Sequence, residues 1–199
     1  MKTFEEFLFE LNIRHKTEIG HGKEHRIFDY EKDPTKVMKV AWGTENGENP
    51  YDPNTKKVVV DLDPEHIDAF IKFPDIFAKV FKRTKRYTII EKLETKKPKQ
   101  DEKELFNLIS KYNFSDFRFM TENSAINDFY WQITNRSGLL NRMIKKMVAN
   151  EDLTLFNLYV DLFRKINSGL KKHIKYKGID VGSYNLGYDK EGNLKLLDF

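Results

Sequence analysis

The sequence predicts an α+β fold in two lobes, β-rich over residues 1–93 and helical over residues 94–199. Three observations predict it. Short β-branched and aromatic runs punctuated by turn signals fill the first half, and apolar residues at helical spacing fill the second. Between them the stretch "ETKKPKQD", residues 94–101, has the composition of a hinge. With 39% hydrophobic residues, 16 Phe and 9 Tyr, the chain of 199 residues has the material for a core.

Taken in order, Phe4, Phe7, Leu8 and Leu11 fall at i, i+3, i+4 and i+7, which predicts a short amphipathic helix over 2–11. In "EIGHGKEHRIFDYEKDPTKVMKVAW" the apolar runs Ile27-Phe28 and Val37 to Trp42 flank "DYEKDPT", whose Asp-Pro marks a turn between two strands. "GTENGENPYDPN" reads as a loop and "KKVVVDL" as a strand. In "DPEHIDAFIKF", Asp63 has the character of an N-cap and Pro64 of a first helical residue. "FAKVFKR" and "RYTIIEKL" predict two more strands joined by a basic turn. In the second half Leu105, Leu108, Ile109 and Tyr112 share one helical face, and Leu140, Met143, Ile144 and Met147 another. The longest predicted helix runs from Leu153 to His173, with Leu155, Leu158, Tyr159, Leu162, Ile166 and Leu170 in register. The chain closes with an expected hairpin: "NLGYD", the turn "KEGN", then "LKLLDF".

Composition narrows the function classes. No cysteine is present, so disulfides and thiolate metal sites are excluded. No apolar run approaches the roughly 18 residues that span a bilayer, and the N-terminus "MKTFEEFLFEL" carries acids where a signal peptide would be apolar; a cytoplasmic, membrane-free protein is expected. The net charge of +4 comes from 35 Lys and Arg interspersed with 31 acids, a mixture that argues against a nucleic-acid surface. The basic patches "FKRTKRY" and "ETKKPKQ" are expected to be solvated flanks. Trp42, Trp131 and the stretch "YNFSDFRFM" are expected to pack rather than bind.

Three patterns carry chemistry. Gly20 and Gly22 in "GHGKEHRIF" would let a backbone turn tightly and bring its N–H groups against phosphate oxygens. Lys39 alternates with Met and Val in a strand pattern, where it is either a solvated charge or a cation held over a ligand's phosphates. Asp180 and Asn185 in "GIDVGSYN" have the D-x-x-x-x-N spacing in which the aspartate accepts a hydroxyl proton and the asparagine ligates a metal. The closing hairpin would bring Asn185 beside Asp198, so the two could share one Mg²⁺.

In this order the patterns resemble the protein-kinase family, particularly its compact phage and bacterial members. The resemblance implies a two-lobe kinase fold with a shortened C-lobe. It also implies ATP and Mg²⁺ as cofactors, and a protein substrate or host protein partner in the host cytoplasm. Gly20 and Gly22 resemble the nucleotide loop, Lys39 the phosphate-binding lysine, and Glu65 the acid that pairs with it, with Asp68 as a neighbour on the same helix. "FPDIFAKVF" is similar to the segment after the regulatory helix. "YTIIEKLE" is similar to the strand entering the hinge, with Ile90 as gatekeeper and Glu91 to Leu93 where adenine meets backbone groups. "NLGYDKEGNLKLLDF" resembles the stretch from the metal-binding Asn to D-F-G. The implied roles are Asp180 and Lys39 in catalysis, and Asn185 and Asp198 as metal ligands.

The departures are specific. His25 stands at the third glycine, Gly178 and Ile179 replace the His-Arg before the catalytic aspartate, and Gly182 occupies a position where many members carry a lysine. The sequence ends at Asp198-Phe199, which implies either a stripped-down enzyme or a fragment completed elsewhere. Two functions follow: a minimal kinase transferring the γ-phosphate of ATP to a protein Ser/Thr hydroxyl, or an inactive relative that binds a partner protein. A fourth pattern, H-x-x-E-H at His21 to His25, would suit a zinc peptidase if those residues formed a helix.

Overall fold

A computed structural model of the protein describes residues 13, 16–21, 25–44, 57–62, 64–112, 120–136, 138–147, 153–170, 179 and 181–197. The predicted helix over 2–11, the Asp63 cap and most of the predicted loop over 43–54 lie outside the described residues. The fold is mixed α+β and divides into two compact units, residues 1–68 with 79–92, and residues 69–78 with 93–199.

The first unit is an antiparallel sheet. β1 (Glu18–His21), β2 (His25–Asp29), β3 (Lys36–Thr44), β4 (Lys57–Val59), β5 (Val80–Arg83) and β6 (Tyr87–Glu91) pair in the order β1-β2-β3-β6-β5, with β4 against the end of β3. β3 is the centre because its β-branched and apolar residues can be covered on both sides. It pairs with β2 from Val37 to Ala41, with β6 from Lys36 to Val40 and with β4 from Trp42 to Thr44. Gly43 and Thr44, expected in a loop, extend this strand. Alternation then sorts the side chains. Met38 and Val40 join Ile13 and Phe28 on one face, with Trp42 and Tyr87 packed alongside. Val37, Lys39 and Ala41 point to the other, where Ala41 meets Leu62 and Val60.

The Asp-Pro turn between β2 and β3 is built as its residues dictate. The Asp33 carboxylate accepts from the Thr35 N–H at 2.9 Å and its hydroxyl at 2.6 Å, and pairs with Lys36 at 2.8 Å. Lys36, then the Thr35 hydroxyl and N–H, hold Asp33 well below its usual carboxylate range. Helix α1 (Pro64–Lys72) begins at the proline, as predicted. It belongs to the first unit as far as Asp68, whose carboxylate pairs with Arg83, and to the second from Ala69.

The second unit is helical around an aromatic core. It contains α2 (Lys97–Lys111), α3 (Ala125–Asn135), α4 (Leu139–Met147) and α5 (Thr154–Ser168). Phe129, Phe156 and Phe163 are fully enclosed; Phe129 lies 5.0 Å from Phe156 and 5.6 Å from Phe163, centroid to centroid. The predicted hinge over 94–101 is shorter than its composition suggested, because residues 97–101 already form the start of α2 with Pro98 in the first turn. α3 was not read from the sequence. Trp131, expected to pack, is 53% exposed on α3, while Trp42 is half-buried with Arg26 stacked over it at 4.2 Å. The long helix ends at Ser168, with Gly169 donating to the Lys165 carbonyl, rather than at His173, which lies outside the described residues. The stretch 113–119 also lies outside them. Among the described residues no helix is long and apolar enough to cross a membrane.

The closing hairpin forms as expected from β7 (Leu186–Tyr188) and β8 (Leu194–Leu196). Its turn is held by Asp189, which accepts from the Asn193 N–H at 2.7 Å and from Lys195 at 3.2 Å, with Gly192 at a φ of +84°. Burial works to raise the Asp189 carboxyl, but its bonds to Asn193 and Lys195 win and lower it.

Candidate functional site

In the sheet unit the register draws a row across four strands. Gly20 on β1 pairs with Ile27 on β2, Ile27 with Lys39 on β3, and Lys39 with Thr88 on β6. Directly opposed residues share a face, so glycine, lysine and threonine line one side of the sheet. Lys39 is only 6% exposed and Thr88 only 1%. A buried ammonium is costly unless something compensates it. The Thr88 hydroxyl beside it has no hydrogen-bond partner among the described residues. A Cβ at Gly20 would come no nearer than 3.9 Å to Ile27, so the described residues leave room for a side chain there.

At the end of β6 the backbone groups divide. The Glu91 N–H donates to the Lys79 carbonyl and the Lys92 N–H to the Thr35 carbonyl, both at 2.9 Å. The Leu93 N–H donates to no group among the described residues, while its side chain is buried. Glu91 was thus correctly placed at a strand end, but its amide is committed to the sheet.

In the helical unit, Asn185 closes a single 3₁₀ turn (Ser183–Asn185) just before β7. Its N–H donates to the Gly182 carbonyl at 2.8 Å and its carbonyl accepts from Leu197 at 2.9 Å. This stretch is tied to α2 by two neighbouring buried acids. Glu102 accepts from the Ser183 hydroxyl, and its other oxygen accepts from the Ile126 N–H at 3.4 Å, serving an amide at the start of α3. Asp101 accepts from the Tyr188 phenol and from Tyr159 at 3.0 Å. Burial and then Asp101 push the Tyr159 phenol far above its usual range, and burial with the Asp101 hydrogen bond does the same to Tyr188.

Two glycines here are set by space. Gly182 has an ordinary φ of −58°, but a Cβ there would lie 2.5 Å from the Tyr184 ring. A Cβ at Gly187 would lie 2.5 Å from that of Leu93, where the chain at Glu94 bonds both ways with Tyr188 at 2.9 Å. Leu93 and Asn185 are therefore both anchored to the hairpin.

Of the predicted site residues, Gly20, Lys39 and Glu91 stand on the sheet and Leu93 and Asn185 in the helical unit. Gly22, Asp180 and Asp198 lie outside the described residues, and Glu65 is described only as a residue of α1. The metal donors expected from sequence, the Asn185 carboxamide and the Asp198 carboxylate, offer only oxygen and suit a hard divalent cation such as Mg²⁺. The H-x-x-E-H reading is overturned: His21 ends β1 and His25 begins β2, so no helix aligns them for zinc. Asp101, Glu102, Ser183 and Tyr188 were missed by sequence reasoning. No protein-family model matches the chain, and no curated protein sequence matches it.

Proposed function

We propose that the protein is a kinase-like phosphotransferase that moves the γ-phosphoryl group of ATP to a protein Ser or Thr hydroxyl. The observation that carries this reading is the row Gly20, Ile27, Lys39, Thr88. It puts a buried cation on the third strand of an antiparallel sheet, in line with a glycine that the described residues leave room around and a hydroxyl with no hydrogen-bond partner among them.

Under this reading Lys39 neutralises phosphate charge, the backbone at Gly20 and Gly22 approaches the phosphates closely, and the Leu93 N–H meets the adenine edge. Glu65 orients Lys39. Asp180 accepts the proton of the acceptor hydroxyl as it attacks. Asn185 and Asp198 would hold Mg²⁺, which when bound supplies charge neutralisation on the phosphate oxygens. The sequence order of these residues and the oxygen-only donor set support the same conclusion.

Calorimetric titration with Mg-ATP tests it. Wild type is expected to bind, and Lys39→Met, which removes the charge while filling the same buried space, is expected to lose affinity by about tenfold or more with its circular dichroism unchanged. Equal affinity in both proteins would remove Lys39 from the site and with it the reading.

A further inference from the structure

We infer that Asp101 and Glu102 are positioning residues for Asn185, so that helix α2 sets the metal affinity of the proposed site. The meaning of Asn185 rests on the phosphotransferase reading; the geometry of the clamp does not. Successive residues on a helix diverge by about 100°, and these two acids use that divergence to reach opposite sides of one short stretch. Glu102 takes the hydroxyl two residues before Asn185, and Asp101 the phenol three residues after it. The Asn185 backbone is itself bonded on both sides, to Gly182 and Leu197. The whole turn thus moves with the two hydroxyls that α2 holds.

Stability alone does not account for the acids. Buried carboxylates cost free energy that apolar residues of equal volume would avoid. Asp101 is 3% exposed and Glu102 6%, and their partners among the described residues are neutral hydroxyls and an amide rather than cations. What a carboxyl group gives in exchange is directional hydrogen bonds, which fix position more tightly than apolar contact does. Groups that orient a metal ligand typically change metal affinity when they are removed, even though they never touch the ion.

The test is calorimetric titration of a non-hydrolysable ATP analogue, with Mn²⁺ and with EDTA, into the full chain. Ser183→Ala and Tyr188→Phe each remove one hydroxyl, and Tyr188→Phe keeps the ring that packs at the hairpin. Asn193→Ala loosens the same hairpin at its far turn, where Asn193 holds Asp189. The expected result is a loss of about tenfold in Mn²⁺-dependent affinity for Ser183→Ala and Tyr188→Phe, with the metal-free affinity unchanged. Asn193→Ala should lower the melting temperature and leave the metal dependence alone. Wild-type binding with no change in either hydroxyl variant, or an equal loss in Asn193→Ala, overturns the inference and spares the functional reading. A wild type that binds no analogue with Mn²⁺ overturns both.

Discussion

The sheet unit and the helical unit bury charged groups of opposite sign. In the sheet the ion pairs Lys16 with Glu31, Lys92 with Asp29 and Lys36 with Asp33 sit at the rim, and among the described residues the buried charge is the cation Lys39, opposite the Thr88 hydroxyl that has no hydrogen-bond partner there. In the helical unit both oxygens of Glu102 accept, from Ser183 and the Ile126 amide, and one oxygen of Asp101 accepts from Tyr159 and Tyr188. A carboxylate whose bonds are made within its own unit works as a strut. Under the proposed function, the cation on the sheet face in line with Gly20 meets a ligand's phosphates.

The two glycines sharpen that contrast most. Gly187→Ala must push Leu93 aside and is expected to cost about 1–3 kcal/mol, read from the urea midpoint. Gly20→Ala has room and should leave stability unchanged or raise it by about 0.5 kcal/mol, while weakening nucleotide binding. If both prove equally destabilising, the sheet glycine is structural and the distinction fails.

pH should separate the units next. The Tyr130 phenol is pushed up to about 12 by burial, so it stays protonated in the folded state where the unfolded chain ionises near 10.0. The stability it contributes is present below pH 10.0 and is lost as pH rises towards 12; Tyr159 and Tyr188 are displaced the same way. In the sheet the sign reverses. Asp33 is lowered from 3.8, so its contribution is present above that value and is lost on acidification below it. Denaturation midpoints across pH should therefore show an alkaline loss that Tyr130→Phe reduces and an acid loss that Asp33→Asn reduces.

The smallest effect belongs to the rim. Lys92→Ala removes an exposed pair at 2.7 Å and should change stability by less than about 1 kcal/mol, with still less effect at high salt.

The strands were legible because β-branched alternation and the Asp-Pro turn act locally, and the hairpin because Gly192 takes the left-handed conformation its turn requires. Helix α3 carried a readable signal in Ile126, Phe129, Tyr130 and Ile133 at helical spacing, hidden by the aromatic residues around it. The acids of α2 gave none. "KPKQDE" looks like solvated linker, and Asp101 and Glu102 are buried through hydroxyls 81 and 87 residues away for Glu102–Ser183 and Asp101–Tyr188. Gly187 is likewise explained by what approaches it, Leu93 and the Glu94 carbonyl, and not by its own backbone. Of the candidate site, the residue types and their order were legible, whereas the row from Gly20 to Thr88 needed the strand register.

Transfer of labelled γ-phosphate from Mg-ATP, to the protein itself and to a bacterial lysate, tests the central claim most directly when wild type is compared with Asp180→Asn. The account predicts label with wild type and none with the variant. A folded wild type that transfers no phosphate would contradict it and turn the proposal to an inactive relative that binds a partner protein.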